Sequence, residues 1–204
     1  VYNLVQDKAR ALAEARRAAR LGRDTALTLL TVGLLGASAT AAEPRHGGTL
    51  NVGLEADFPG FDPLIMGALV ERMVATSFYE TLMDMNAQGE IVPHLAESLK
   101  VSGDGTSYTL KLRTGIKFHD GTPLDAAAVV FNVRRLMDPA NGCRCQANVV
   151  GIKSVDATGP DTVVFTLKTP DAAFPAVLAD VPGMATSPTA IRKAQEAGLK
   201  YADT

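Results

Sequence analysis

The residues able to do chemistry are few and scattered. The three histidines are His46, His94 and His119, and no two stand at the spacing that offers two metal ligands from one helix face. His119 precedes Asp120, half of a general-base pair. The setting, Phe118 to Gly121, reads as a strand entering a turn, and Asp-Gly is needed there for the turn itself. Asp57 and Asp62 flank Phe58 and Phe61; as paired acids they lack a nucleophile or further ligands, and a loop rich in Pro and Asp accounts for them. The chain contains no Gly-x-Ser-x-Gly elbow and no phosphate loop. Gly47 and Gly48 precede the first predicted strand instead of joining a strand to a helix, so they form no dinucleotide fingerprint. These residues predict no catalytic set, no metal and no cofactor, and hence a protein that is not an enzyme.

Cys143 and Cys145 are the only cysteines. A bridge across one intervening residue is geometrically demanding, and a metal site would need two more ligands. Two readings stand: a loop with two thiols, or a strained disulfide in an oxidising compartment.

Composition narrows the partners. Of 204 residues, 47% are hydrophobic and 21% charged, with no Trp, which describes a folded chain built on Val, Leu, Ala and Met. The formal net charge of −2 leaves no basic footprint for nucleic acid. The charge is uneven: six basic and three acidic groups lie in residues 1–24, and residues 42–204 carry a net of −5. From Thr25 to Ala42 no residue is charged, and the apolar run from Ala26 to Leu35 is followed by small residues. This is the layout of a secretory signal peptide over residues 1–41, cleaved after Ala41. A membrane anchor is the alternative, at the short end of a span.

The remaining chain alternates strands and helices. Thr49–Leu54 has strand periodicity through Leu50, Val52 and Leu54, and the loop from Glu55 to Pro63 follows. A helix is predicted over 68–82 from Val70, Val74, Phe78 and Leu82, then a hairpin about Asn86–Gly89. A second hairpin turns at Gly103-Asp104-Gly105 and continues as Tyr108, Leu110 and Leu112. A short strand over 116–119 leads to a helix capped by Asp125 and stopped by Pro139. Residues 140–149 read as a polar loop. Strands over 152–157 and 162–167, a short helix over 172–178, a return strand at 184–186 and a helix opened by Ser187-Pro188 complete the order. The class is mixed α+β or α/β.

The string from Leu95 to Leu124, with its Gly103-Asp104-Gly105 and Phe118-His119-Asp120-Gly121, resembles the signature region of the family 5 solute-binding proteins, the dipeptide- and oligopeptide-binding components of ABC importers. The resemblance extends over Asp125–Pro139, Gly48–Val52, Phe61–Pro63 and Phe78–Leu82, and covers nearly all of residues 47–190. It implies a periplasmic binding protein type II-like fold of two lobes closing on a ligand, with a hairpin-rich subdomain inserted in the first lobe. By this analogy residues 47–65 and 184–204 belong to the first-lobe core, residues 66–183 form the inserted subdomain, and the second lobe is missing. The implied function is an extracytoplasmic receptor, periplasmic and monomeric, that binds a small peptide or similar solute and delivers it to ABC permease subunits in the inner membrane. The one ligand-facing segment that carries over is Asp57, Phe58, Pro59, Gly60 and Phe61, acting through backbone groups and packing. Asp120, Gly121 and Thr122 read as architectural. The family's members are considerably longer, so a truncated, non-binding fragment of such a protein is the first alternative and an exported hydrolase the second.

Overall fold

The computed structural model describes residues 47–199. The leader assigned to residues 1–41 lies outside the described residues. By internal contacts the chain divides into residues 1–51 and residues 52–204. In the first unit the described residues, 47–51, are exposed and carry no regular structure.

The second unit holds every described helix and strand. A 3₁₀ turn, Pro63–Ile65, is capped by Asp62. Helix α1, Leu69–Ala75, follows. Strands β1, Met83–Met85, and β2, Ile91–Pro93, make a small hairpin. Strands β3, Ala96–Val101, and β4, Ser107–Leu112, make the second. Helix α2, Ala126–Met137, leads through a 3₁₀ turn, Pro139–Asn141, to the short helix α3, Gln146–Val149. Strands β5, Ile152–Ala157, and β6, Thr162–Leu167, form a third hairpin. Helix α4, Phe174–Val177, a 3₁₀ turn, Val181–Gly183, and helix α5, Pro188–Glu196, close the order.

The main sheet is antiparallel, in the order β3-β4-β6-β5. Its register puts Tyr108 opposite Phe165 and Leu110 opposite Val163. Because successive side chains alternate, these residues share one face with Leu112, Leu167 and Val155, all buried. Phe174 of α4 packs on that core, its ring 5.0 Å from Tyr108 and 5.3 Å from Phe165. Helix α2 lies against β5 and β6 and buries Val129, Val133 and Leu136. Each such side chain, fully buried, contributes on the order of 1.5–3 kcal/mol.

The predicted hairpins, the Asp125 cap and the Ser187-Pro188 helix start all appear: Asp125 accepts from the Ala128 N–H at 2.8 Å and Ser187 from that of Ala190 at 3.2 Å. Other expectations are corrected. Residues 49–54 form no strand, and Leu50, Val52 and Leu54 are exposed by 85%, 65% and 41%. Alternation supplies a strand's two faces but not its neighbour, and among the described residues none pairs with this segment. The helix predicted over 68–82 ends at Ala75, because the chain must straighten for Leu82 N–H to reach Gly183 O at 3.0 Å and for Met83 N–H to reach Leu178 O at 3.1 Å. Residues 140–149 are not a plain polar loop: Cys143, Cys145 and Val149 are buried in the core and α3 ends the segment. The predicted strands at 116–119 and 184–186 reduce to single bridges, Lys117 with Pro123 and Thr81 with Met184.

Candidate functional site

The segment after Glu55 is fastened at one end. Asp62 is almost fully buried and sits in a bidentate pair with Arg135 of α2: Nη1 donates to Oδ1 at 2.8 Å and Nη2 to Oδ2. Leu64 N–H adds a third bond to Oδ1 at 3.0 Å. Fork-to-fork pairing fixes orientation as well as distance, so the chain leaves this anchor in one direction.

One residue earlier, the carbonyl of Phe61 accepts from the Tyr79 hydroxyl at 2.8 Å. That hydroxyl also shares a bond of 2.9 Å with Thr186 Oγ1. Thr186 is itself locked by Asn132 of α2, whose Nδ2 donates to Thr186 O at 2.8 Å and whose Oδ1 accepts from Thr186 N–H at 3.0 Å. Buried Asn132 uses its remaining donor capacity on Ala128 O at 2.9 Å. The buried polar groups of Asn132 and Thr186 are thus paired.

The rings collect at the same place. Phe61 stands edge-on to Phe58 at 5.3 Å and to Phe78 at 5.1 Å, and Phe58 to Phe78 at 6.0 Å; these are the separations that aromatic quadrupoles favour. Phe61 stays 49% exposed. It lines an open cleft of about 810 Å³, together with Phe78, Tyr79, Ile116, Phe118 and Leu124 on the apolar side and Glu80, Lys117, His119 and Asp120 on the polar side.

Of the five residues named from the sequence, Phe61 lines this cleft. Phe58 is not in the lining and packs edge-on against Phe61 and Phe78, which are. Gly60 is half-buried with φ of 143°, a conformation that suits glycine. Asp57 and Pro59 are exposed and lie outside the cleft lining. Tyr79, Thr186, Asn132 and Arg135 were not marked by sequence reasoning as parts of a site. Arg135 pairs with Asp62 across 73 positions and Tyr79 with Thr186 across 107, separations no local pattern reveals.

His119, Asp120 and Ser187 all line the cleft, and their types call for a test of nucleophilic chemistry. Ser187 Oγ donates to Asp120 Oδ2 at 2.5 Å and accepts from Ala190 N–H, as the cap of α5. Asp120 Oδ1 accepts from the Thr122 hydroxyl at 2.6 Å and from its N–H at 2.9 Å. The Ser187 hydroxyl, then Thr122, hold the Asp120 carboxyl below its usual range. A carboxylate so stabilised is a weak base, and the Ser187 hydroxyl donates its hydrogen bond to that carboxylate, not to an imidazole, so the triad geometry is not met. The cluster ties a turn to a helix start. Among the described residues no group of three His, Cys, Asp or Glu side chains could hold a metal, and no helix is long and apolar enough to cross a membrane.

Comparison with known proteins gives this geometry its context. The glutathione-binding protein GsiB of Shigella flexneri is 40% identical over 142 residues, 70% of this chain and 28% of that protein. The chain thus spans about 28% of the length of the curated relatives it matches. Among solved structures, AgaA from A. tumefaciens R10 in complex with agropinic acid has a TM-score of 0.64 at 28% identity, over 69% of this chain and 28% of that one. OppA of Haemophilus influenzae in complex with the peptide RPPGFSPFR has a TM-score of 0.65 at 23% identity, over 71% of this chain and 32% of that one, a likeness of fold. The described α+β body is therefore part of a type II periplasmic-binding-protein fold. Residues 90–203 match the model for bacterial extracellular solute-binding proteins, family 5 Middle, and the chain belongs to that family.

Proposed function

We propose that this chain supplies one wall of the ligand cleft in an extracytoplasmic receptor of an ABC importer, and that the solute is a small peptide or a peptide-like molecule such as glutathione. The observation that carries the reading is the half-exposed Phe61 ring in the cleft lining, its backbone held by Tyr79 on the carbonyl and by Asp62–Arg135 one residue on. A receptor needs a rigid apolar surface beside a few polar groups, and the cleft offers Phe61, Phe78 and Phe118 beside Glu80 and Lys117. The names of the relatives point the same way: glutathione for one, an oligopeptide for another. Closure of a second lobe would complete the enclosure. The receptor is periplasmic and monomeric, works with permease subunits in the membrane and makes or breaks no covalent bond.

The test is titration calorimetry of the chain with glutathione and with a set of tripeptides, repeated on Phe61→Ala. Saturable heat that weakens at least about fivefold in the variant, with the solute recovered intact, supports the reading; that ratio corresponds to about 1 kcal/mol. Recovery of cleaved peptide would favour a hydrolase. Absence of heat for every solute would favour a non-binding piece of such a receptor.

A further inference from the structure

We propose that Cys143 and Cys145 form a reducible bridge whose function is to hold Arg144 as a clamp over the start of α1. The structure draws the two sulfurs together as a disulfide, with Cα atoms 5.1 Å apart. Both cysteines are buried, at 6% and 5% exposure, within the main core cluster. Gly142 enters the bend with φ of 61°, and Gln146 N–H returns to Cys143 O at 3.2 Å. Arg144 is the only residue between the cysteines, so the bridge leaves its backbone little freedom.

That backbone and side chain reach across to the segment that follows the Asp62 anchor. Arg144 N–H donates to Leu64 O at 2.8 Å. Its Nη1 donates to Glu71 Oε1 at 3.1 Å. Its stem lies over Gly67, where an added Cβ would come within 3.1 Å of Arg144 Cδ. Glu71 in turn accepts from the N–H groups of Gly67 and Ala68 through Oε2, the latter at 2.6 Å. Those are N–H groups at the opening of α1 that no helical carbonyl can serve. Arg144 therefore supplies the polar ties of the 64–71 segment to the 142–146 bend, beside the buried Leu64 and Met66, and the bridge fixes that residue.

Opening the bridge takes a dithiol reductant. Its thiolate attacks one sulfur and forms a mixed disulfide, and the other cysteine leaves as a thiolate. The second thiol of the reagent then displaces the first cysteine; the reagent ends as its cyclic disulfide, and its two protons end on Cys143 and Cys145. Because both sulfurs are buried, attack waits on local opening of the 142–146 bend.

The experiment uses the full chain purified without reductant. Denaturation and alkylation should give no adduct before dithiothreitol and two afterwards, with an intact mass about 2 Da higher in the reduced, unalkylated chain. Amide exchange by mass spectrometry should then show peptides over 64–71 exchanging at least about threefold faster in the reduced chain. In Arg144→Ala both redox states should exchange at the fast rate. Two adducts without reductant would overturn the proposal. So would equal exchange over 64–71 in the oxidised and reduced wild-type chain, a comparison that needs no variant to fold. None of these readouts involves a solute, so the outcome is independent of the receptor reading.

Discussion

Removing the guanidinium of Arg135 should destabilise the described fold strongly, because it strands a buried carboxylate. Its partner, Asp62, has a side chain only 4% exposed, and Arg135 itself is 13% exposed. Three hydrogen bonds reach the Asp62 carboxylate, two of them from Arg135. In Arg135→Ala the carboxylate keeps one backbone N–H and no counter-charge, in a place water does not reach. Stranding a buried charge in this way costs about 3–5 kcal/mol. That is a large share of the roughly 5–15 kcal/mol that holds a domain folded. The double variant Asp62→Leu/Arg135→Met removes the burden of dehydrating both ions, and should lose only about 1–2 kcal/mol, chiefly the cap on Leu64 N–H. The assay is urea unfolding followed by far-ultraviolet circular dichroism, with the free-energy change taken from the shift in midpoint at constant slope. The reasoning fails if Arg135→Ala stays within about 1 kcal/mol of wild type, or if the double variant is as unstable as the single one.

Asn132→Ala should cost about 2–4 kcal/mol by the same unfolding assay, because it leaves the N–H and C=O of Thr186 without partners in the interior; a loss below about 1 kcal/mol would mean that water replaces the amide. Gly183→Ala should lower the melting temperature by at least about 6 °C, since the new Cβ would lie 1.8 Å from the backbone oxygen of Leu178; an unchanged melting temperature would show that the 178–183 turn yields. Stability should be level from neutral pH to about 5 and fall below about 4. For Glu71, burial raises the carboxyl, but the N–H groups of Ala68 and Gly67 and the charges of Arg144 and Arg72 outweigh it, and the net position is below the ordinary 4.5. Asp120 also lies below its ordinary 3.8, through Ser187 and Thr122. Both acids thus stabilise the fold fully above their ordinary values, and lose that contribution as pH drops through the depressed ones. Glu71→Gln should flatten the acid limb of the urea midpoint against pH, and an acid limb as steep as wild type would remove Glu71 from the account.

What could be read from the residues was what their near neighbours determine. The hairpin at Gly103–Gly105 announces itself because alternation and turn chemistry act over a dozen residues. The starts of α2 and α5 are legible because a capping side chain bonds to an N–H three residues ahead. The aromatic loop was legible as a loop and as a candidate surface. Its fastening was not, since Tyr79 meets Thr186 across 107 positions and Arg135 meets Asp62 across 73. Residues 49–54 show the opposite failure: their pattern is that of a strand, but pattern does not provide a neighbour to pair with. The segment with the cysteines reads as a polar loop because Asn141, Arg144 and Gln146 dominate its pattern, while Cys143 and Cys145 turn inward.

The order of the main sheet also says something about how the chain comes together. Within β3–β4 and within β5–β6 the partners nearest each turn are only a few residues apart, Val101 with Tyr108 and Ala157 with Val163. The central seam is different: Lys111 meets Thr162 only after about fifty intervening residues, α2 among them, have been gathered in. Closing so long a loop costs entropy before any contact repays it. The two ribbons can therefore zip up early and independently, and their joining, with α2 laid across the junction, is the slow event of assembly. Tyr108 and Phe165 face each other on that seam, so their alignment waits on the same closure.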